Sequence, residues 1–230
     1  MVDTIMEPRI AVVGVGGAGC NVTSQFYESL CNVDTIAINT DKMAMETVSA
    51  DKKIYICKSV TKGEGTKGDK GLGRKCADAH KEEIEKAMMG HDVVIIIAGL
   101  GGGTGTGAAS VVADICNRLD IMTFTIVINP FSFESSRLVT AREGLRTIRS
   151  VCPGTFVVEN DKILSVMPDA TMERALRAVN DSIMDFALRM IEGIPGKVME
   201  ETESMVKVSV ANGKKVSEEA PIHGYHEIEI

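Results

Sequence analysis

The stretch "DVVIIIAGLGGGTGTGAASVVADICNRL", residues 92–119, decides the fold. It begins with "VVIII" at 93–97, whose hydrophobicity is continuous rather than alternating. That is the pattern of a strand covered on both faces, as in a parallel sheet. It then crosses a loop with almost no side chains: six of the twelve residues from Ala98 to Ala109 are glycine. It closes on "GTGAASVVADICNRL", 105–119, a helical pattern. At a strand–loop–helix turn the free N–H groups and the positive dipole end of the helix face outward. Glycine lets a ligand approach the backbone without a Cβ in the way. The loop therefore reads as an anion cradle. Thr104 and Thr106 are expected to add hydroxyl donors, and a side chain at Gly102 or Gly103 is expected to occupy space the phosphates need or to force an unfavourable backbone angle.

A second such turn opens the chain. "GVGGAGCN", Gly14 to Asn21, follows the strand "RIAVVG" and matches G-x-G-x-x-G at Gly14, Gly16 and Gly19. Alone, this is the dinucleotide-binding fingerprint, and Asp41 ends the next strand about where a ribose-binding acid would stand. A Rossmann oxidoreductase, however, does not need a second, richer glycine loop, and no catalytic Tyr-Lys, His or Cys constellation supports one. Two cradles on one sheet edge suggest a nucleoside di- or triphosphate gripped from two sides. No Lys-Ser/Thr follows either loop, so the Walker pattern is absent and the grip relies on backbone.

The remaining chain alternates in the same way. "TIAINTD", "KIYIC", "MTFTIVI" and "TFVVE" read as strands; "AGCNVTSQFYESL", "GRKCADAHKEEIEKAMMG" and "SSRLVTAREGLRTIRS" read as helices. The expected fold is α/β, a parallel sheet with helices on both faces. A long helix follows over roughly 171–192, with Met172, Leu176, Val179, Ile183, Phe186 and Met190 at spacings of three and four. "GIPG" at 193–196 is expected to end it. "MVKVSV" and "HEIEI" alternate around the turn "ANGKK" and predict a small β hairpin. The expected division is a nucleotide-binding domain over 1–195 and a short C-terminal β appendage over 196–230.

Composition narrows the function. With 230 residues, 44% apolar and 25% charged, the chain suits a globular protein with one sizeable core. No apolar run approaches the roughly 20 residues of a membrane helix, and "MVDTIMEPRI" lacks the pattern of a secretory signal. A cytoplasmic location without membrane insertion is expected. The net charge is −7, without an evident basic patch, so nucleic acid is not an expected partner. The six cysteines form no CxxC pair and are expected to be reduced and mostly buried; no metal site is expected from them or from His223 and His226.

"GGGTGTG" at 101–107, together with "GVGGAGCN", "NTD" at 39–41, "TKGEGTKG" at 61–68, "NPFSFE" at 129–134 and "NDKIL" at 160–164, resembles the tubulin/FtsZ superfamily in order and spacing. The resemblance covers about 9–195 and is to the FtsZ-like proteins of archaea and bacteria. It implies a site for GTP or GDP, with Mg2+ arriving with the nucleotide. Carried over residue by residue, it places Gly16, Gly17, Ala18, Gly19, Cys20 and Asn21 around the phosphates and sugar. Gly101, Gly102, Gly103, Thr104, Gly105 and Thr106 would cradle the β- and γ-phosphates. Glu134 would contact the ribose, and Asn160 the sugar and base. Asp181, with Asn180 before it in "AVND", stands where the family reads guanine. A carboxylate there accepts both N1–H and the N2 amine, a pair that adenine does not offer.

The departures shape the expected function. Where the family carries an arginine four residues after the glutamate, this chain has Leu138, and Arg137 is expected to compensate. Leu176 stands where the family stacks an aromatic on guanine. After "IPG" the Asn/Asp-rich catalytic loop and the second domain are expected to be missing. "KVMEETES" leaves Glu200, Glu201 and Glu203 as the remaining candidate catalytic carboxylates. The resemblance implies a cytoskeletal or cell-division GTPase with slow hydrolysis, self-associating as a dimer or short oligomer. The alternative is a non-polymerising GTP-dependent module that pairs with itself or with a protein partner.

Overall fold

The computed structural model of the protein describes residues 8–29 and 33–211, with side chains in the last helix described as far as residue 194. Six strands, β1 (Ile10–Val15), β2 (Asp34–Asn39), β3 (Lys52–Tyr55), β4 (Val93–Gly99), β5 (Met122–Asn129) and β6 (Thr155–Glu159), form one sheet. Its order is β3-β2-β1-β4-β5-β6, with every pairing parallel. Between them lie α1 (Gly16–Glu28), α2 (Lys42–Thr47), α3 (Lys58–Thr61), α4 (Lys70–Ala79), α5 (Lys81–Met88), α6 (Gly103–Arg118) and α7 (Ser135–Val151). Then come α8 (Asn160–Val166) and α9 (Met172–Ala211).

Alternation along the strands feeds two cores. Val13, Val15, Ile38, Ile54, Val94, Ile96 and Val127 point to one face and pack with α4–α7. Val12, Ile95, Ile97, Ile126, Ile128 and Val158 point to the other, where Val22 and Phe26 of α1 and Val179, Ile183 and Ala187 of α9 cover them. The central strands are buried along their whole length, as their unbroken hydrophobicity requires. In this strand order the chain reverses direction between β1 and β4, the switch point where open α/β sheets bind ligands.

Three expectations change. The helical pattern at 73–90 is two helices broken at His80. The His80 ring Nδ1 donates to the Cys76 carbonyl at 2.9 Å, while its backbone N–H turns to Ala77 at 3.1 Å. The ring thereby takes the carbonyl that a continuous helix would use. The long helix does not stop at "GIPG": α9 runs to Ala211, so 205–210 is helical rather than a strand and the 195/196 boundary falls inside α9. Helix bonds are satisfied within the segment, and 197–205 is rich in Lys, Met and Glu, so the helix needs no partner strand. The remainder of the expected hairpin lies outside the described residues. Five cysteines, Cys20, Cys57, Cys76, Cys116 and Cys152, are free and buried; Cys31 lies outside the described residues.

Among the described residues no helix is long and apolar enough to cross a membrane.

Candidate functional site

Both glycine loops leave the carboxyl ends of adjacent strands, β1 and β4, and they meet. A Cβ at Gly16 would stand 2.7 Å from the Gly105 nitrogen, and one at Gly99 would stand 2.7 Å from the Ala18 Cβ. The N-termini of α1 and α6 therefore converge. Neither has a side-chain cap or an acidic residue in its first turn. Two neighbouring helices differ: Asp41 caps α2 by accepting from Ala44 N–H at 3.0 Å, and Asp69 caps α4 by accepting from Leu72 N–H at 3.0 Å. Asp41 is thus a helix cap rather than a ribose acid. The two converging ends leave N–H groups and positive dipole ends for an anion.

The glycines serve three different purposes. Gly16 and Gly101 have φ of +74° and +85°, which only glycine adopts without strain. Gly103 and Gly107 let α6 press on the segment 66–74: a Cβ at Gly103 would stand 2.7 Å from Asp69 O, and one at Gly107 would stand 2.6 Å from Arg74 N. Only Gly17 and Gly102 open outward. A Cβ at Gly17 meets nothing within 4 Å, and one at Gly102 meets only Arg137 Nη2 at 3.6 Å. The expectation of space kept for phosphates thus fits Gly102, whereas Gly103 is glycine for packing.

The loop threonines also face inward. Thr104 Oγ1 lies 2.6 Å from Thr40 Oγ1 and 3.4 Å from Thr66 Oγ1. Thr106 Oγ1 accepts from Gly101 N–H at 2.9 Å. Both are buried, so they brace the cradle instead of presenting hydroxyls at its surface. The Cys20 side chain belongs to the core. Its thiol donates to the Gly14 carbonyl at 3.4 Å, and burial, only partly offset by a hydrogen bond to Ile38, pushes its pKa up to about 12.

Beside the converging ends lies a cavity of about 560 Å³. Gly17, Ala18 and Asn21 form one side; Glu134, Arg137, Asn160 and Asn180 supply polar groups; Leu100, Phe133, Met172, Leu176 and Val179 supply apolar surface. The Arg137 guanidinium pairs with the Glu134 carboxylate. Glu134 also accepts from Phe131 N–H at 3.1 Å. Asn160 is buried, yet its Oδ1 has no hydrogen-bond partner. A buried acceptor left unmade is costly, and one that lines a cavity is open to a donor from water or a ligand.

The structure thus gathers Gly17, Ala18, Asn21, Glu134, Arg137, Asn160 and Asn180 on one cavity. Gly16, Gly19 and 101–106 do not line it; Gly16 packs on Gly105 and Gly19 on Ile97, beside the lining residues. Asp181 does not line the cavity: it is exposed, and its Oδ1 accepts from Gln25 Nε2 at 3.2 Å. Glu200, Glu201 and Glu203 fall on the part of α9 whose side chains lie outside the described residues. Asn129, Phe133 and Met172 line the cavity without having been picked out as site residues. Phe133 is 60% exposed and stacks near Phe131, with ring centroids 5.1 Å apart; its place beside Glu134 in "NPFSFE" was the available signal.

The chain is similar to known proteins. The profile of the Tubulin/FtsZ family, GTPase domain, matches residues 9–168. Cell division protein FtsZ 2 of Methanocaldococcus jannaschii is 35% identical over 215 residues, 93% of this chain and 55% of that protein. Cell division protein FtsZ 1 of Pyrococcus horikoshii is 36% identical over 197 residues, 84% of this chain and 53% of that protein. Among solved structures, an FtsZ dimer from M. jannaschii superposes with a TM-score of 0.78 at 34% identity, covering 82% of this chain and 56% of its own. A GTPγS-bound protofilament of CetZ2 from Haloferax volcanii gives 0.72 at 26%, covering 80% and 58%. The chain spans about half the length of the curated relatives it matches.

Proposed function

The chain belongs to the tubulin/FtsZ family, and on that premise we propose that it binds GTP and GDP as a cytoskeletal or cell-division GTPase that turns over slowly. The observation that carries this reading is the convergence of two uncapped helix N-termini beside the cavity. A phosphate chain lies against the backbone at Gly17, Ala18 and Gly102, with Arg137 as the nearest cation. The ribose lies toward Glu134 and Asn160. The base lies against Leu176 and Met172, with its edge toward Asn180 and, once released from Gln25, Asp181. A site of this size with a few polar groups on apolar walls suits a ligand of nucleotide dimensions. Mg2+ comes with the phosphates. Among the described residues no three His, Cys, Asp or Glu side chains gather, so the ion keeps water and phosphate as most of its shell.

Slow turnover follows from the carboxylates. Glu134 is the one carboxylate lining the cavity, and it is held by Arg137 and Phe131 N–H. Among the described residues no free base lines the cavity to orient water. Hydrolysis then depends on groups from a second copy. The dimer and protofilament among the structural neighbours support self-association. GTP turnover measured across a range of protein concentrations tests both points. Per-subunit turnover that is slow when dilute and rises with concentration is expected; a rate that is brisk and independent of concentration would overturn the shared site.

A further inference from the structure

Beneath the cradle lie two thiols that the nucleotide site does not use. Cys57 precedes α3 with φ 57° and ψ 37°, a left-handed conformation uncommon for a residue with a side chain. Its N–H is held by His80 Nε2 at 3.4 Å, and the same ring donates through Nδ1 to the Cys76 carbonyl at 2.9 Å. One imidazole thus ties the two cysteines' backbones together. Their side chains share one core cluster, in which Cys57 is the neighbouring thiol that acts on Cys76. Cys57 is 8% exposed and Cys76 fully buried.

We propose that Cys57 and Cys76 are a site of reversible disulfide formation that weakens nucleotide binding. The second half of that statement rests on the GTP-site reading above. The oxidant is a peroxide, and the more exposed Cys57 meets it first. The Cys57 sulfur attacks one peroxide oxygen, the O–O bond breaks, and Cys57 becomes a sulfenic acid while one water leaves. The Cys76 sulfur then attacks the Cys57 sulfur. The S–O bond breaks, the S–S bond forms, and the hydroxyl leaves as a second water with the Cys76 proton. Two thiols are oxidised by two electrons and one hydrogen peroxide is reduced to two waters. Burial first, and the neighbouring Cys57 second, push the Cys76 thiol up to about 12. Cys76, the more deeply buried of the two, takes the resolving role and gives up its proton only as it attacks the sulfenic acid.

The link to the site is short. Thr61 Oγ1 lies 3.1 Å from both the Cys57 and Thr40 carbonyls, and Thr40 and Thr66 both reach Thr104. Drawing the sulfurs together to a bond of about 2.05 Å pulls the start of α3 toward α4. Segment 61–69 moves with it, and the Gly103–Asp69 contact has no slack to absorb the shift. Cys116 and Cys152 are also neighbours, but they are only 0% and 2% exposed, and Cys152 donates to the Thr123 carbonyl at 3.3 Å. They serve as an internal comparison.

The test treats the folded full-length chain with hydrogen peroxide, alkylates the remaining thiols, and maps peptides by mass spectrometry. GTP affinity is measured by calorimetry before oxidation, after it, and after dithiothreitol. A Cys57–Cys76 cross-link, affinity at least about tenfold weaker, and recovery on reduction are expected. Cys57→Ser and Cys76→Ser should each bind GTP equally before and after peroxide. The proposal fails if both thiols stay alkylatable, if the cross-link maps to Cys116–Cys152, or if the disulfide forms and affinity stays within twofold. A reduced chain that binds no GTP sinks the nucleotide reading and with it the weakening, while the peptide map judges the disulfide separately.

Discussion

Gly103 rests directly on the backbone of Asp69: a Cβ at Gly103 would stand 2.7 Å from the Asp69 carbonyl oxygen and 2.8 Å from its nitrogen. Asp69 in turn caps α4. The signature loop and the start of α4 are therefore one packed body, and a side chain at Gly103 cannot be accommodated by a rotamer change. Gly103→Ala is expected to cost about 1–3 kcal/mol by overpacking. Gly102→Ala, with only Arg137 Nη2 nearby at 3.6 Å, should leave stability almost unchanged and weaken GTP binding. Urea unfolding and calorimetry on the two variants check the contrast. Equal loss of stability in both would show that the loop does not divide in this way.

Asn160 offers a separate measurement. Its Oδ1 is buried without a partner on the cavity wall. Asn160→Ala removes an acceptor that the chain itself leaves unused, so thermal stability should hold or rise slightly. GTP affinity should fall by about 0.5–1.5 kcal/mol, the usual net worth of one hydrogen bond. A variant that loses stability and keeps affinity would assign Asn160 to the fold alone.

Arg137 tests the electrostatics of the phosphate end. Its guanidinium reaches both Glu134 and the space over Gly102. Arg137→Ala is expected to weaken GTP by about 1.5–3 kcal/mol, the range for hydrogen bonds to charged groups. Arg137→Lys should recover only part of it, because an ammonium cannot serve both directions in a plane. The difference between the wild-type and Arg137→Ala affinities should shrink as salt rises.

A pH effect is expected at the opposite sheet edge. Burial pushes the Asp34 carboxyl up, but hydrogen bonds from His91 and Arg9 outweigh it and hold the folded carboxyl below its ordinary range. A depressed carboxyl stabilises the fold above the ordinary Asp value of about 3.9, and that contribution fades as pH falls through the lower folded value. The side chain is half exposed, so screening limits the effect to about 1 kcal/mol or less. Wild type should exceed Asp34→Asn in urea unfolding at pH 7 and lose that margin in strong acid. A margin that grows on acidification would reverse the assignment.

All six strands lie within one or two residues of where their apolar runs place them, because short apolar runs alternating with helical patterns leave few alternatives. The polar set Asn21, Glu134, Asn160 and Asn180 was legible only through motif order. Periodicity carries no information about which polar groups meet across 160 residues of chain. The break at His80 was hidden because the ring that takes the Cys76 carbonyl is also held by the Cys57 N–H, 23 positions earlier. The inward turn of Thr104 was hidden for the same reason, since its partners come from Thr40 and Thr66; Thr106 turns in to a local partner, Gly101, that loop composition does not reveal. Met172 and Phe133 share the cavity only because the loop after β5 folds back toward α9, a matter of tertiary packing.

The pairing of β1 with β4 aligns Ile10 with Val93 and Val15 with Ala98. The two halves of the ligand grip are therefore separated by some 80 positions along the chain and touch only once that pairing forms. Closing so long a loop is slow and delays its reward. Neither half of the polypeptide holds a complete cradle, so on the proposed reading GTP engages only refolding molecules in which the central ladder has closed. A fluorescent GTP analogue added to a refolding reaction would thus lag behind helix formation and report only molecules in which this long-range pairing has formed.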